Sequence, residues 1–82
     1  NITDKSHLIL GKIYTEQKKY DEAENEFMII LENKENSADA YYGLGVICER
    51  RGDIIKARSY WRKALRIQVN HPESLRKLAE YK

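Results

Sequence analysis

Apolar residues return every three to four positions through most of this chain. The clearest stripes are Ala23, Phe27, Ile30 and Leu31, at i, i+4, i+7 and i+8, and Ala57, Trp61, Ala64 and Leu65 at the same spacing. This period follows the 3.6-residue turn of an α-helix and gathers each set on one face. The pattern predicts five helices, over about 4–17, 21–33, 38–51 and 54–68 and from about 72 to the end. Turn-forming segments separate them: Lys18 to Asp21, Asn33 to Ser37, Arg50 to Asp53 and Asn70 to Pro72. Pro72 suits a first helical turn, where its missing N–H would have had no partner.

The stripes are also periodic at a longer range. At an offset of 34 residues, Leu10, Gly11 and Ile13 fall on Leu44, Gly45 and Ile47; Ala23 falls on Ala57, Phe27 on Trp61 and Leu31 on Leu65. Leu44 and Gly45 fall in turn on Leu78 and Ala79. Thr3, Ser37 and His71 share one register ahead of the helical patterns, where Thr and Ser are good N-caps. The chain is therefore two helix-turn-helix units and the start of a third, or a closing helix.

Such a unit, with a large residue, Leu-Gly, then Ala, an aromatic and a small residue, resembles the tetratricopeptide repeat. The second unit carries the likeness on Tyr41, Leu44, Gly45, Gly52, Ile54, Ala57, Trp61, Ala64 and Leu65. The first carries it on His7, Leu10, Gly11, Tyr14, Tyr20, Ala23, Phe27 and Leu31, and the last segment on Leu75, Leu78 and Ala79. Departures are Ile30 for a small residue, Cys48 for an aromatic, His7 for Trp or Tyr, and Glu35 and Val69 where the family has proline. The resemblance implies an all-α, right-handed solenoid of antiparallel helix hairpins, as one domain: repeat one at about 4–37, repeat two at about 38–71 and a capping or partial-repeat helix at 72–82. Its structural set is Leu10, Gly11, Ala23, Phe27, Leu44, Gly45, Ala57, Trp61, Ala64 and Leu78.

The resemblance also implies a groove, lined by the first helix of each hairpin, that receives an extended peptide or a helix of a partner protein. Carried over by register, the groove set is Lys5, Leu8, Lys12, Thr15 and Glu16, then Asp39, Tyr42, Val46, Glu49 and Arg50, then Glu73, Arg76, Lys77 and Glu80. Leu8, Tyr42 and Val46 form its apolar centre, although Leu8 and Val46 can equally serve to pack adjacent helices. Some family members hold a chaperone's C-terminal carboxylate with Lys, Asn and Arg. Lys12, Arg76 and Lys77 are basic candidates for that role, but Lys12, Val46 and Gly43 stand where the asparagines would be sought, so no such clamp is expected.

Gly43 and Gly45 lie inside a helical pattern, where each costs roughly 1 kcal/mol against alanine. Gly45, in register with Gly11 and Ala79, is expected to let the second helix of its hairpin approach closely near Ala57. Gly43 has Ile9 and Lys77 at its register and leaves bare backbone beside Tyr42 on the groove side. That bare backbone is either a gap for a partner or a position without a role.

Composition narrows the function classes. The chain has 82 residues, 41% hydrophobic and 34% charged, with a mean hydropathy of -0.75. It contains no apolar run near the roughly 20 residues of a membrane span and no signal segment. Without an initiator Met, and with helix-like sequence at both ends, it is expected to be a piece of a longer protein. Its compartment is not indicated. His7 and His71 lie far apart and read as structural, and Cys48 sits on an inward stripe as an inert thiol. Gly43-x-Gly45 lies within a helix and cannot cradle a phosphate. Neither catalytic chemistry nor a metal or cofactor is expected.

Charge is divided along the chain. Residues 1–37 carry five Lys and eight acidic side chains, 5 − 8 = −3; residues 38–82 carry ten basic and five acidic ones, 10 − 5 = +5. Lys56, Arg58, Arg62, Lys63 and Arg66 make the fourth helix basic, with Arg58, Arg62 and Arg66 on one face. Without interleaved exposed aromatics this reads as a solvated face rather than a nucleic-acid track. The acidic and basic halves also allow head-to-tail self-association as an alternative to partner binding in the groove.

Overall fold

The computed structural model describes residues 2–33 and 36–81, with side chains from Asp4 onward. Five helices follow in order: α1 (Ile2–Glu16), α2 (Tyr20–Asn33), α3 (Ala38–Arg50), α4 (Ile54–Ile67) and α5 (Pro72–Glu80). Part of the turn expected over 33–37 lies outside the described residues. α1 begins before Thr3, which therefore sits inside the helix and not ahead of it.

Local chemistry accounts for the other boundaries. The Ser37 side chain accepts the Ala40 N–H and Asp53 accepts the Lys56 N–H, each satisfying a first-turn donor with no helical partner. His71 does the same for α5 through its ring, accepting from Ser74 N–H ahead of Pro72 at the first helical position. The inter-helix turns of both hairpins reverse through a left-handed residue at one register, Lys18 (φ 63°) and Gly52 (φ 90°).

Each helix packs on its chain neighbours, and α3 also touches α1. Extents of 34 × 26 × 17 Å fit two helix layers, with α1, α3 and α5 in one and α2 and α4 in the other. The core is continuous across the two units: Ala23, Phe27 and Ile30 of α2 pack with Ala40, Leu44 and Ile47 of α3. Trp61, Ala57 and Ala64 are fully buried in the second hairpin, where Trp61 stacks on Tyr81 with centroids 5.9 Å apart.

The glycines fix how close the layers come. A Cβ on Gly45 would stand 2.6 Å from Cδ1 of Trp61, and one on Gly11 would stand 2.6 Å from Cζ of Phe27. The close approach expected at Gly45 is thus made to the Trp61 indole. The structure supplies the role of Gly43 that the sequence leaves open. It is buried, and a Cβ there would stand 2.6 Å from Cε2 of Phe27, so its bare backbone accommodates the neighbouring unit's ring.

Leu10 corrects the sequence reading. Expected in the core with Leu44, it is 38% exposed, whereas Leu44 is 2% exposed. The cause is position in the stack: α2 covers α3, and no described helix covers the same face of α1. Leu78 is half-buried.

Candidate functional site

One groove of about 440 Å³ runs across α1, α3 and α5. It is lined by Lys12, Thr15 and Glu16 of α1, by Asp39, Tyr42, Gly43, Val46 and Arg50 of α3, and by Glu73 and Lys77 of α5, with Phe27 of α2 reaching it from beneath. Positions four residues apart on α3, Asp39 and Gly43, Tyr42 and Val46, and Val46 and Arg50, share a face, and that repeat turns the Asp39, Tyr42, Val46 and Arg50 side chains together into the concavity. Tyr42 and Val46 supply the accessible apolar surface over the buried Phe27 ring, and charges of both signs surround it.

Most of these charges are already engaged. Arg50 donates to Glu16 at 2.8 Å, linking α3 to α1 across one end of the groove. Lys77 Nζ lies 2.9 Å from Glu49 Oε1 and 5.9 Å from the centre of the Trp61 ring, so it is fixed against both α3 and α4. Lys12 has no carboxylate within ion-pair distance among the described residues. Thr15 is buried and donates its hydroxyl to the Gly11 carbonyl at 2.7 Å, which leaves its methyl as its contribution to the wall.

The wall nearest α5 is held by a buried histidine. His71, 2% exposed, accepts the Ser74 N–H on Nδ1, so its ring proton sits on Nε2 and is donated to Asp39 Oδ1 at 2.7 Å. Its ring lies 5.6 Å from that of Tyr42. Burial pushes the Tyr42 phenol above its ordinary range, with Lys77 opposing the shift, so Tyr42 is a neutral hydrogen-bonding and apolar surface over the working pH range.

The remaining groove candidates go elsewhere. Leu8 packs against the core cluster, taking the packing role left open for it. Lys5, Arg76 and Glu80 are exposed and do not line the groove, although Arg76 is near enough to act electrostatically on Tyr42. Glu49 lies between α3 and α5, accepting from Lys77 and, at 2.6 Å, from the Tyr81 hydroxyl, whose pKa that bond raises. Phe27 and His71 were not expected at the groove. No periodic signal pointed to the first; for His71 only its shared register with Ser37 hinted at a role.

Other chemistry finds little support in the geometry. Burial raises the Cys48 pKa, opposite to what a nucleophile needs, and Cys48 is half-buried rather than enclosed. His7 is paired with Glu26 at 2.6 Å. Among the described residues no group of His, Cys, Asp and Glu could hold a metal ion, and no helix is long and apolar enough to cross a membrane. On α4, Arg58 is half-buried and Lys63 lies over the Tyr41 and Tyr60 rings at 5.6 and 5.9 Å, leaving Lys56, Arg62 and Arg66 exposed.

Known proteins share this sequence in part. A segment of the probable biofilm formation methyltransferase WspC of Pseudomonas putida is 39% identical over 59 residues, covering 72% of this chain and 14% of that protein. The uncharacterized protein ycf37 of Cyanophora paradoxa is 39% identical over 67 residues, covering 77% of this chain and 39% of its own length. The chain thus spans well under half of either relative. Sequence models described as tetratricopeptide repeat match residues 4–37 and 38–71, the same two units that the 34-residue register marks out. These repeats are in general noncatalytic protein–protein interaction modules. With both units matched and each folded as a helix hairpin in one solenoid, the chain belongs to the tetratricopeptide repeat family.

Proposed function

We propose that this segment binds a peptide or helix of a partner protein in the groove between α1, α3 and α5, as one module of a larger scaffold or assembly protein. The observation that carries the reading is the groove's construction. An apolar floor of Phe27, Tyr42 and Val46 is ringed by side chains held in place by the Arg50–Glu16, Lys77–Glu49 and His71–Asp39 contacts. Pre-positioned walls lower the ordering cost of binding, and an apolar centre with a polar rim suits a partner with one or two apolar anchors. Lys12, unpaired among the described residues, favours a carboxylate beside such an anchor. That WspC carries its matched segment within a small share of its length supports a modular role.

The test compares partners captured by the immobilised chain, by Tyr42→Ala, and by the double variant Arg62→Glu/Arg66→Glu. Tyr42→Ala is expected to weaken capture by about 1–2 kcal/mol with helicity unchanged, while the charge reversal leaves it intact. Loss of binding on the α4 reversal with full retention in Tyr42→Ala would overturn the proposal.

A further inference from the structure

The helix layer opposite the groove is divided in sign. On α2, Asp21, Glu22 and Glu32 are exposed on the side away from the buried stripe of Ala23, Phe27 and Ile30. On α4, Lys56, Arg62 and Arg66 are exposed on the side away from Ala57, Trp61 and Ala64. Of these charges only Asp21 has an ion-pair partner among the described residues, Arg51 at 2.6 Å, and its side chain is still 89% exposed. Each row also carries an exposed apolar residue, Met28 on α2 and Ile55 on α4. The rows stand at one register, since 34 residues separate Glu22 from Lys56 and Glu32 from Arg66. Each turn between helices reverses the chain, so α2 and α4 run in the same direction and these residues lie at equal heights along the two helices.

We propose that this outer layer binds a second copy of the chain in a two-fold dimer, with α2 of each protomer lying along α4 of the other, parallel and in register. The division of charge selects that occupant. A partner of single sign, such as a nucleic acid, is attracted by one row and repelled by the other. A second copy, related by a two-fold axis that runs along the helices between α2 and α4, presents the same rows in exchanged order. Glu22 then stands at the level of the partner subunit's Lys56, and Glu32 at the level of the partner subunit's Arg66. Both pairings occur twice, because such a contact is isologous and closes at two copies. A two-fold axis across the helices would instead lay α2 on α2 and α4 on α4, with like charges opposed. Exposed ion pairs each contribute little and are screened by salt, so the contact is weak and salt-dependent. It leaves the groove open, because the groove lies on the layer of α1, α3 and α5.

The test is sedimentation of the chain, of Glu22→Lys/Glu32→Lys, of Lys56→Glu/Arg66→Glu, and of an equimolar mixture of the two variants, with circular dichroism confirming that each is folded. The unaltered chain is expected to dimerise at low salt, with a dissociation constant that rises about tenfold or more between about 0.05 M and about 0.5 M salt. Each variant alone has lost its opposed pairs and is expected to stay monomeric. Their mixture is expected to dimerise, because the reversed α2 of one variant meets the reversed α4 of the other. Register is read by oxidation of a mixture of Asn25→Cys and Ser59→Cys chains, each with Cys48→Ser, in which the disulfide between the two variants is expected to outrun either self-disulfide. A monomeric chain at low salt at every concentration overturns the proposal, as does dimerisation of both variants alone at the strength of the unaltered chain. A mixture that stays monomeric, preferential self-disulfides, or growth beyond two copies also overturns it.

Discussion

The Phe27 ring lies between Gly11 of its own hairpin and Gly43 of the next, with ring carbons where the Cβ of either would stand. One side chain thus closes the first hairpin, joins it to the second and reaches the groove. Gly43→Ala is expected to destabilise the fold by about 1–3 kcal/mol, because the buried ring has little room to yield. At an open helical site the same change stabilises by about 1 kcal/mol, so the sign is diagnostic. A urea midpoint that rises in Gly43→Ala would contradict the close approach.

Lys18 and Gly52 occupy the same turn position, both with positive φ. Holding a side chain in the left-handed region costs roughly 1–2 kcal/mol, part of which glycine returns as unfolded-state entropy. Lys18→Gly is expected to raise stability by about 0.5–1 kcal/mol, and Gly52→Ala to lower it by about 1 kcal/mol or more. Thermal unfolding of the two variants checks both signs.

His71 combines a helix cap with a bond to Asp39 from a buried site. His71→Ala is expected to cost about 1–3 kcal/mol, from the lost cap and the lost buried hydrogen bond. His71→Ser, the residue at the same register of the preceding unit, keeps the cap and is expected to cost less. Equal losses in denaturant unfolding would assign the whole effect to Asp39 and the cavity.

Burial raises the phenol pKa of Tyr42 and of Tyr60. In the unfolded chain these groups lose their protons near pH 10, while the folded chain retains them to higher pH. The stability tied to the neutral phenols is therefore complete below about pH 10 and is lost as pH rises through the folded values. Urea midpoints measured from pH 8 upward are expected to fall above pH 10, less steeply in Tyr42→Phe and Tyr60→Phe. A slope unaffected by either substitution would contradict this origin.

The helices and their order were legible because local signals agreed: Ser37 and Asp53 cap where the apolar stripes begin, and Ala23–Phe27 and Ala57–Trp61 mark the same face 34 residues apart. The exposure of Leu10 was not legible, since its sequence context matches that of Leu44 and only a neighbouring helix distinguishes them. The role of Gly43 was not legible because its contact, Phe27, lies in another unit and 16 residues back, a distance at which periodicity carries no information. In the groove, register carried over Tyr42, Val46, Asp39 and Arg50, whose neighbours lie on adjacent turns of one helix. It did not anticipate that Glu49 would turn to Lys77 and Tyr81, because that choice depends on where α5 docks.

Trp61 is the chain's single tryptophan, stacked on Tyr81 just beyond α5 and approached by Lys77 from α5 itself. The first hairpin contains no indole. Indole fluorescence, excited beyond the tyrosine band, therefore samples the fifth helix and its seat, while circular dichroism averages over all five. Any opening that starts at the carboxyl-terminal end would alter emission before ellipticity, so the molecule carries its own optical gauge of the direction in which it unzips.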